Sequence, residues 1–253
     1  MKIGLVSDIH LQSENRESVL EELSGVVDRF DDSFEPDVTV VLGDLIEDEG
    51  SADRDSEHVR AVAETLDDLD SPVTFLAGNH DVENLSSDEL AALLDQDRWG
   101  RIDGTDLLYL DSAAPWLSGA RGEVTDEQLA FLDDELDGTD DRLLFVHHPV
   151  HYHDLRDNYW FGETPERAFC GNKAEVNRVI EHRDGVLAVF NGHLHETDYT
   201  RYRGTHHFTV NAFGKERPES DVTGTYAEVT IDDRLTVRVV EGDRMTRTFE
   251  VPI

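Results

Sequence analysis

Hydrophobic positions along the chain fall into two periodicities, and their alternation predicts an α/β architecture. Short unbroken apolar runs bounded by Gly, Pro, Asn or Asp occur at 3–6, 38–42, 73–77, 143–146 and 186–190. Runs of this kind read as buried strands. Between them, apolar residues recur at three- and four-residue spacing. Val19, Leu20, Leu23, Val26, Val27 and Phe30 follow the first run, and Val59, Val62, Ala63, Leu66 and Leu69 follow the second. Each stripe predicts a helix with one buried face. Pro72 stops the second helix, because it lacks the N–H that a continuing helix needs.

Capping signals add two more helices. Ser86 with Glu89, and Thr125 with Gln128, have capping-box spacing ahead of Leu90, Leu93, Leu94 and of Leu129, Leu132, Leu136. A further helix is predicted over 173–181. After about residue 199 the period changes to two, best seen in Leu235, Val237 and Val239, with Asp232-Asp233 as a tight turn. That tail reads as antiparallel strands. No repeat, low-complexity segment or Pro- or Gly-rich linker marks a boundary, so 1–253 reads as one domain.

All five apolar runs pass directly into residues of metal-ligand type. Asp8 and His10 follow the first; Asp44 follows the second after Gly43; Asn79, His80 and Asp81 follow the third after Gly78. His147 and His148 follow the fourth, and His193 and His195 follow the fifth after Gly192. Sites in open α/β sheets form beyond the carboxyl ends of strands. Five segments far apart in sequence therefore converge on one crevice. Carboxylates, imidazoles and one amide oxygen, with no thiolate, suit divalent ions of intermediate hardness: manganese first, with iron or zinc as alternatives. Two such ions ~3.5–4 Å apart lower the pKa of a shared water and clamp the oxygens of an in-line displacement.

The ordered set DIH, GD, GNHD, HHP and GHLH, running from residue 8 to residue 195, resembles the calcineurin-like metallophosphoesterase superfamily. The resemblance implies a four-layer αββα sandwich of two mixed β-sheets flanked by helices. It also implies that Asp8, His10 and His195 hold one metal, that Asp44 bridges, and that Asn79, His147 and His193 hold the other. His80 would act on the scissile phosphate from outside the metal shell, oriented by a hydrogen bond to Asp81. Leu110-Asp111-Ser112, Gly122, Gln128-Leu129 and Phe131-Leu132 are similar to the class III cyclic-nucleotide phosphodiesterase branch, with Phe131 where that branch usually has Trp. The activity implied is hydrolysis of a phosphodiester or phosphoanhydride in a small soluble, nucleotide-like substrate, through attack by a metal-bridging hydroxide. A phosphomonoesterase is the alternative. A metal-dead scaffold for protein partners is remote, since it predicts losses among the ligand positions and this chain has none.

The segment 148–172 is unusually rich in aromatic and basic residues and has the length of a lid. Tyr159 and Trp160 could stack on a planar leaving group, and Arg156 or Arg167 could grip phosphate. Equally, the aromatics could pack the loop down or form a contact in a homo-oligomer. His148, His151 and His153 read more readily as loop residues with local hydrogen bonds. Glu47 and Asp48 read as part of a solvated face, while Trp116 and the pair His206-His207 are left open.

Composition narrows the partners. The formal net charge is -35, from 57 acidic against 22 basic residues, spread along the chain. No basic footprint for duplex nucleic acid exists. Only 3 of the 22 basic residues are Lys, and this together with the acidity predicts a protein adapted to concentrated salt. The lone Cys170 excludes an intrachain disulfide and reads as a packed hydrophobe. No apolar run approaches the ~20 residues of a membrane span, and the N-terminal run is too short for a signal peptide, which points to the cytoplasm.

Overall fold

The structure, a computed structural model, describes residues 1–253 other than 103, 115, 138–141, 216, 218, 219 and 243. In chain order its strands are β1 (Lys2–Val6), β2 (Val38–Val41), β3 (Val73–Phe75), β4 (Gly100–Arg101), β5 (Leu107–Leu110) and β6 (Arg142–Val146). They continue as β7 (Val186–Asn191), β8 (Asp198–Tyr202), β9 (Thr205–Thr209), β10 (Thr225–Ile231), β11 (Arg234–Glu241) and β12 (Arg244–Pro252). The helices are α1 (Arg16–Arg29), α2 (Ala52–Leu66), α3 (Ser87–Leu94), α4 (Asp126–Glu135) and α5 (Lys173–Arg183).

Two mixed six-stranded sheets result, ordered β12-β11-β10-β1-β2-β3 and β4-β5-β6-β7-β9-β8. β1, β2 and β3 run parallel, as do β5, β6, β7 and β9; the remaining pairings are antiparallel. One core lies between the sheets, where Ile3, Leu5, Val38 and Val40 meet Leu143, Phe145, Phe190 and Phe208. The opposite face of the first sheet, with Val6, Val41 and Phe75, carries α1, α2 and α3 through Val19, Leu23, Val59 and Leu90. That of the second, with Leu108, Leu144 and Val189, carries α4 and α5 through Leu132, Val176 and Ile180. The central strands are thus covered on both faces, which is why their sequences are continuously apolar instead of alternating. The architecture is the expected αββα sandwich.

Two expectations are refined. β5 adds a buried strand to the five anticipated; its Leu-Leu-Tyr-Leu run pairs with β6 and also ends in polar residues, Asp111 and Ser112. Ser86 forms the complete capping box with Glu89. Thr125 accepts from Gln128 N, but the Gln128 side chain does not return to close the box. Instead its Oε1 accepts from Asp111 N at 2.8 Å while its Nε2 donates to Asp111 O at 2.8 Å, clamping α4 to the end of β5. No helix among the described residues is long and apolar enough to cross a membrane.

Candidate metal centre

The carboxyl ends of β1, β2, β3, β6 and β7 open on one pocket of about 510 Å³, lined by His10, Asp44, Asn79, His80, His193 and His195 among others. Asp8 and His147 lie buried beneath it. Five of the seven candidate ligands, Asp8, His10, Asp44, His193 and His195, have φ between 48° and 70°. The left-handed region costs a residue with a Cβ about 1–3 kcal/mol, and such outliers concentrate at functional sites. The ligands after β1, β2 and β7 thus sit in tight left-handed turns directly beyond their strands, whereas Asn79 after β3 has a right-handed backbone. Neighbouring glycines make room for these turns. A Cβ on Gly78 would sit 2.1 Å from Asp44 Oδ1, and one on Gly192 2.0 Å from Ser7 Oγ.

Hydrogen bonds fix which ring nitrogen of each histidine faces the centre. His147 Nδ1 donates to Leu42 O at 2.8 Å, His195 Nδ1 donates to Lys215 O at 3.0 Å, and His10 Nδ1 donates to Glu47 Oε2 at 2.9 Å. All three present Nε2. His193 is turned the other way, with Nε2 donating to Arg167 O at 3.0 Å, so that Nδ1 carries the lone pair. Partners of this kind orient metal-binding imidazoles and raise their basicity.

The lone pairs converge on the carboxylates. His10 Nε2 lies 3.0 Å from His195 Nε2, which lies 3.4 Å from Asp8 Oδ1. Asp44 Oδ2 is 3.8 Å from His10 Nε2 and 3.3 Å from His147 Nε2, so one oxygen sits between the two halves of the cluster. Asn79 Oδ1 and His147 Nε2 are buried without a hydrogen-bond partner among the described residues. Buried polar atoms in native proteins are almost always satisfied, so these two fit a donor set that a cation completes. The groups Asp8, His10, His195 and Asp8, Asp44, His147 each bring three ligand atoms within 4.8 Å of one another.

Electrostatics match the geometry. Burial pushes the Asp44 carboxyl up, but the charges of His147 and His80 outweigh it and hold it well below its usual range. Burial likewise disfavours charge on His147, yet the Asp44 carboxylate raises it to about 9. A proton on His147 Nε2 would therefore compete with a metal ion held there at neutral pH. Metal binding to chelator-stripped protein should release that proton, because below pH 9 the ring must lose it first. Affinity is then expected to rise about tenfold per pH unit toward that value and to level off above it. Titration calorimetry in buffers of different ionisation enthalpy measures the proton; no release at pH 7 would contradict the coupling.

Several residues differ from the sequence expectation. Asp81 does not orient His80: its Oδ1 accepts from Leu45 N at 2.8 Å and Ile46 N at 3.2 Å, and its Oδ2 from Gly78 N at 2.8 Å. It clamps the loop after β2 to the turn after β3. His80 Nδ1 instead meets Asp48 Oδ2 at 3.0 Å, and the His80 N–H donates to Asp44 Oδ1 at 2.9 Å. Glu47 and Asp48, read as a solvated face, are thus the carboxylate partners of His10 and His80. Their only sequence signal was proximity to Asp44.

Arg156 is exposed and bound to Asp154, and neither it nor Tyr159 lines the pocket; Trp160, Phe161, Thr164 and Arg167 do. The cause is Asn158, whose Nδ2 donates to Leu194 O at 2.8 Å while its Oδ1 accepts from Trp160 N and Phe161 N. That staple turns Trp160 toward His195, ring centroids 5.5 Å apart, and leaves Tyr159 outside under Arg217. Trp116 is also exposed and away from the lining. His148 is buried against Ser112, Oγ to Nδ1 2.8 Å, and a Cβ on Gly122 would sit 2.3 Å from that nitrogen. The Asp-Ser, Gly and Gln positions of the 110–128 stretch are accordingly those that lock β5, α4 and His148 together. Cys170 is buried and its thiol is pushed up to about 11 by burial, leaving it a packing residue.

An αββα sandwich with a convergent His, Asp and Asn set at its strand ends is the architecture of a metal-dependent phosphoesterase. The chain belongs to the calcineurin-like phosphoesterase family, whose model matches residues 1–197. It is 26% identical over 227 residues to a glycerophosphodiester phosphodiesterase GpdQ from Enterobacter lignolyticus, covering 80% of this chain and 74% of that protein. Identity to a probable cyclic nucleotide phosphodiesterase of Rhodococcus erythropolis is 32% over 216 residues, covering 79% of this chain and 66% of the relative. In fold it is similar to a dimetal phosphatase from Danio rerio, with a TM-score of 0.78 at 18% identity, covering 100% of this chain and 98% of that one.

Proposed function

We propose that this enzyme cleaves a phosphodiester in a small soluble molecule carrying a planar or apolar second substituent. The observation that carries this reading is Trp160 beside His195 on the pocket rim, with Phe161 behind it. A monoester leaves such a wall unused, whereas the second arm of a diester can stack on it. The names of the two phosphodiesterase relatives support the same class.

Asp8, His10 and His195 would hold one divalent ion, Asn79, His147 and His193 the second, and Asp44 would contact both. The ions supply a water of lowered pKa and positive charge against the phosphate oxygens. Manganese suits the donor set of imidazole, carboxylate and amide, and reloading stripped protein with manganese, iron or zinc compares the three. The protein's own share is positioning. Arg167 lies in the pocket lining where a phosphate oxygen would reach it, Trp160 grips the substituent, and His80 donates a hydrogen bond to the departing oxygen. The segment 148–172 contributes Trp160, Phe161, Thr164 and Arg167 to the pocket wall and would serve as its lid.

The test is turnover of mono-, di- and pyrophosphate substrates side by side after manganese reloading, at low and at high salt. Diester hydrolysis should dominate, and the acidic surface should make high salt the better condition. Turnover of monoesters alone would refute the substrate class. Trp160→Ala should raise KM for an aryl diester by about tenfold, the ~1–1.5 kcal/mol of an aromatic contact, with kcat nearly unchanged. Equal KM values in the two proteins would show that the ring does not touch the substrate.

A further inference from the structure

A second set of metal-type side chains lies outside the pocket, sharing none of its residues. His151 and His153 come from the segment after β6, Glu196 and Asp198 from the turn into β8, and His207 from β9. His153 Nδ1 is 2.9 Å from Asp198 Oδ2, and its Nε2 is 2.8 Å from Glu196 Oε1. Ligand atoms of His151, His153 and Asp198 all lie within 4.8 Å of one another.

The decisive member is His151. It is 2% exposed, and neither ring nitrogen has a hydrogen-bond partner among the described residues. A neutral imidazole carries one donor and one acceptor. Leaving either unmet in the interior costs about 1–3 kcal/mol. The His207 ring lies against it at a tilt, centroids 4.3 Å apart; it is 1% exposed and neither of its ring nitrogens has a hydrogen-bond partner among the described residues. Two adjacent buried imidazoles with no bonding partner make poor packing residues, where Phe or Leu would serve without penalty. Beside them stands a carboxylate pair whose members are about one-third exposed, giving an ion both charge balance and an entry path.

We propose that His151, His153 and Asp198 form a third divalent-cation site, best suited to zinc and structural in role. Zinc in a tetrahedral N/O site has bonds of about 2.0–2.2 Å, which places ligand atoms roughly 3.4 Å apart. The cluster reaches that spacing by contracting at most about 1.4 Å from the 4.8 Å within which its atoms lie, while His153 Nδ1 and Asp198 Oδ2 part slightly from 2.9 Å. His153 would bind through Nδ1 on the Asp198 side, with Glu196 Oε1 2.8 Å from its Nε2 as the carboxylate that balances the ring's charge. His207, its ring centroid 4.3 Å from that of His151, would supply the fourth donor. Such an ion would tie the start of the 148–172 segment to β8, on the far side of the turn that carries His193 and His195.

Metal content tests this independently of any substrate. Protein stripped with chelator and reloaded with Zn²⁺ alone, then freed of excess by dialysis, should hold three equivalents by elemental analysis. His153→Ala and Asp198→Asn should each hold two, and each should lose part of the zinc-dependent rise in Tm seen with the unaltered chain. Asp44→Asn, in which the pocket is impaired, should keep the third equivalent. Asp198→Asn is nearly isosteric, so it serves if His153→Ala fails to fold. A stoichiometry of two in the unaltered chain, or three in both variants, overturns the proposal.

Discussion

Asp44→Asn is expected to lower kcat/KM by at least about 10³-fold and to remove metal from the pocket at the same time. The carboxylate lies where both halves of the cluster meet, with Oδ2 3.8 Å from His10 Nε2 and 3.3 Å from His147 Nε2. Its other oxygen accepts the His80 N–H at 2.9 Å, so it also sets the turn that carries Asn79 and His80. An amide has nearly the same shape but no charge, and its NH₂ end would face donors. Metal chemistry at a phosphoryl group supplies several kcal/mol of charge stabilisation, and each 1.36 kcal/mol is tenfold in rate. Elemental analysis and turnover on one preparation, with circular dichroism to confirm the fold, check both halves of the expectation. Retained metal with retained turnover would remove Asp44 from the centre.

His80→Ala should behave differently, keeping the metals and losing about 10²–10³ in kcat, as is typical when one transition-state hydrogen-bond donor is removed. The imidazole lines the pocket; it groups with His10 and Glu47, outside the two sets around Asp8, and its Nδ1 is taken by Asp48. Burial works against its charge, yet Asp44, the hydrogen bond to Asp48 and the nearby Glu47 raise its pKa to about 10. In the metal-free chain these carboxylates favour the imidazolium, the form that donates to a departing alkoxide oxygen. A more acidic leaving group needs less help, so the defect should shrink for nitrophenyl-type esters. A variant turning over at the full rate on alkyl esters would sink this role, whereas one that lost metal would show His80 to be a ligand.

Much of the site was legible because the chemistry restricts residue types. A buried apolar run that ends in Asp, His or Asn has few structural uses, and five such runs in one chain leave little besides a shared metal pocket. The same logic was available for β5 and its Asp111-Ser112 end, but there the polar residues hold Arg98 and His148, a structural use. Adjacency in sequence misled at Asp81. Its carboxyl points into the protein, where backbone N–H groups of two loops converge on it, and consecutive residues in a turn can face opposite ways. Arg156 misled for a similar reason: a neighbouring Asp154 captured it on the surface, while Arg167, held near Gly119, kept its place by the pocket.

The order of strands and ligands, the layered α/β class and the candidate ligand set were determined by the sequence alone, since hydrophobic periodicity and ligand chemistry are local properties. Tertiary structure decided the rest: which nitrogen each histidine presents, that Asp48 and Glu47 support His80 and His10, that Trp160 and not Tyr159 faces the pocket, and that His151 meets His153 and Asp198. Those outcomes depend on hydrogen bonds between segments as far apart as Leu42 and His147, and a ring's direction is set by its partner in space and not by its neighbour in the chain.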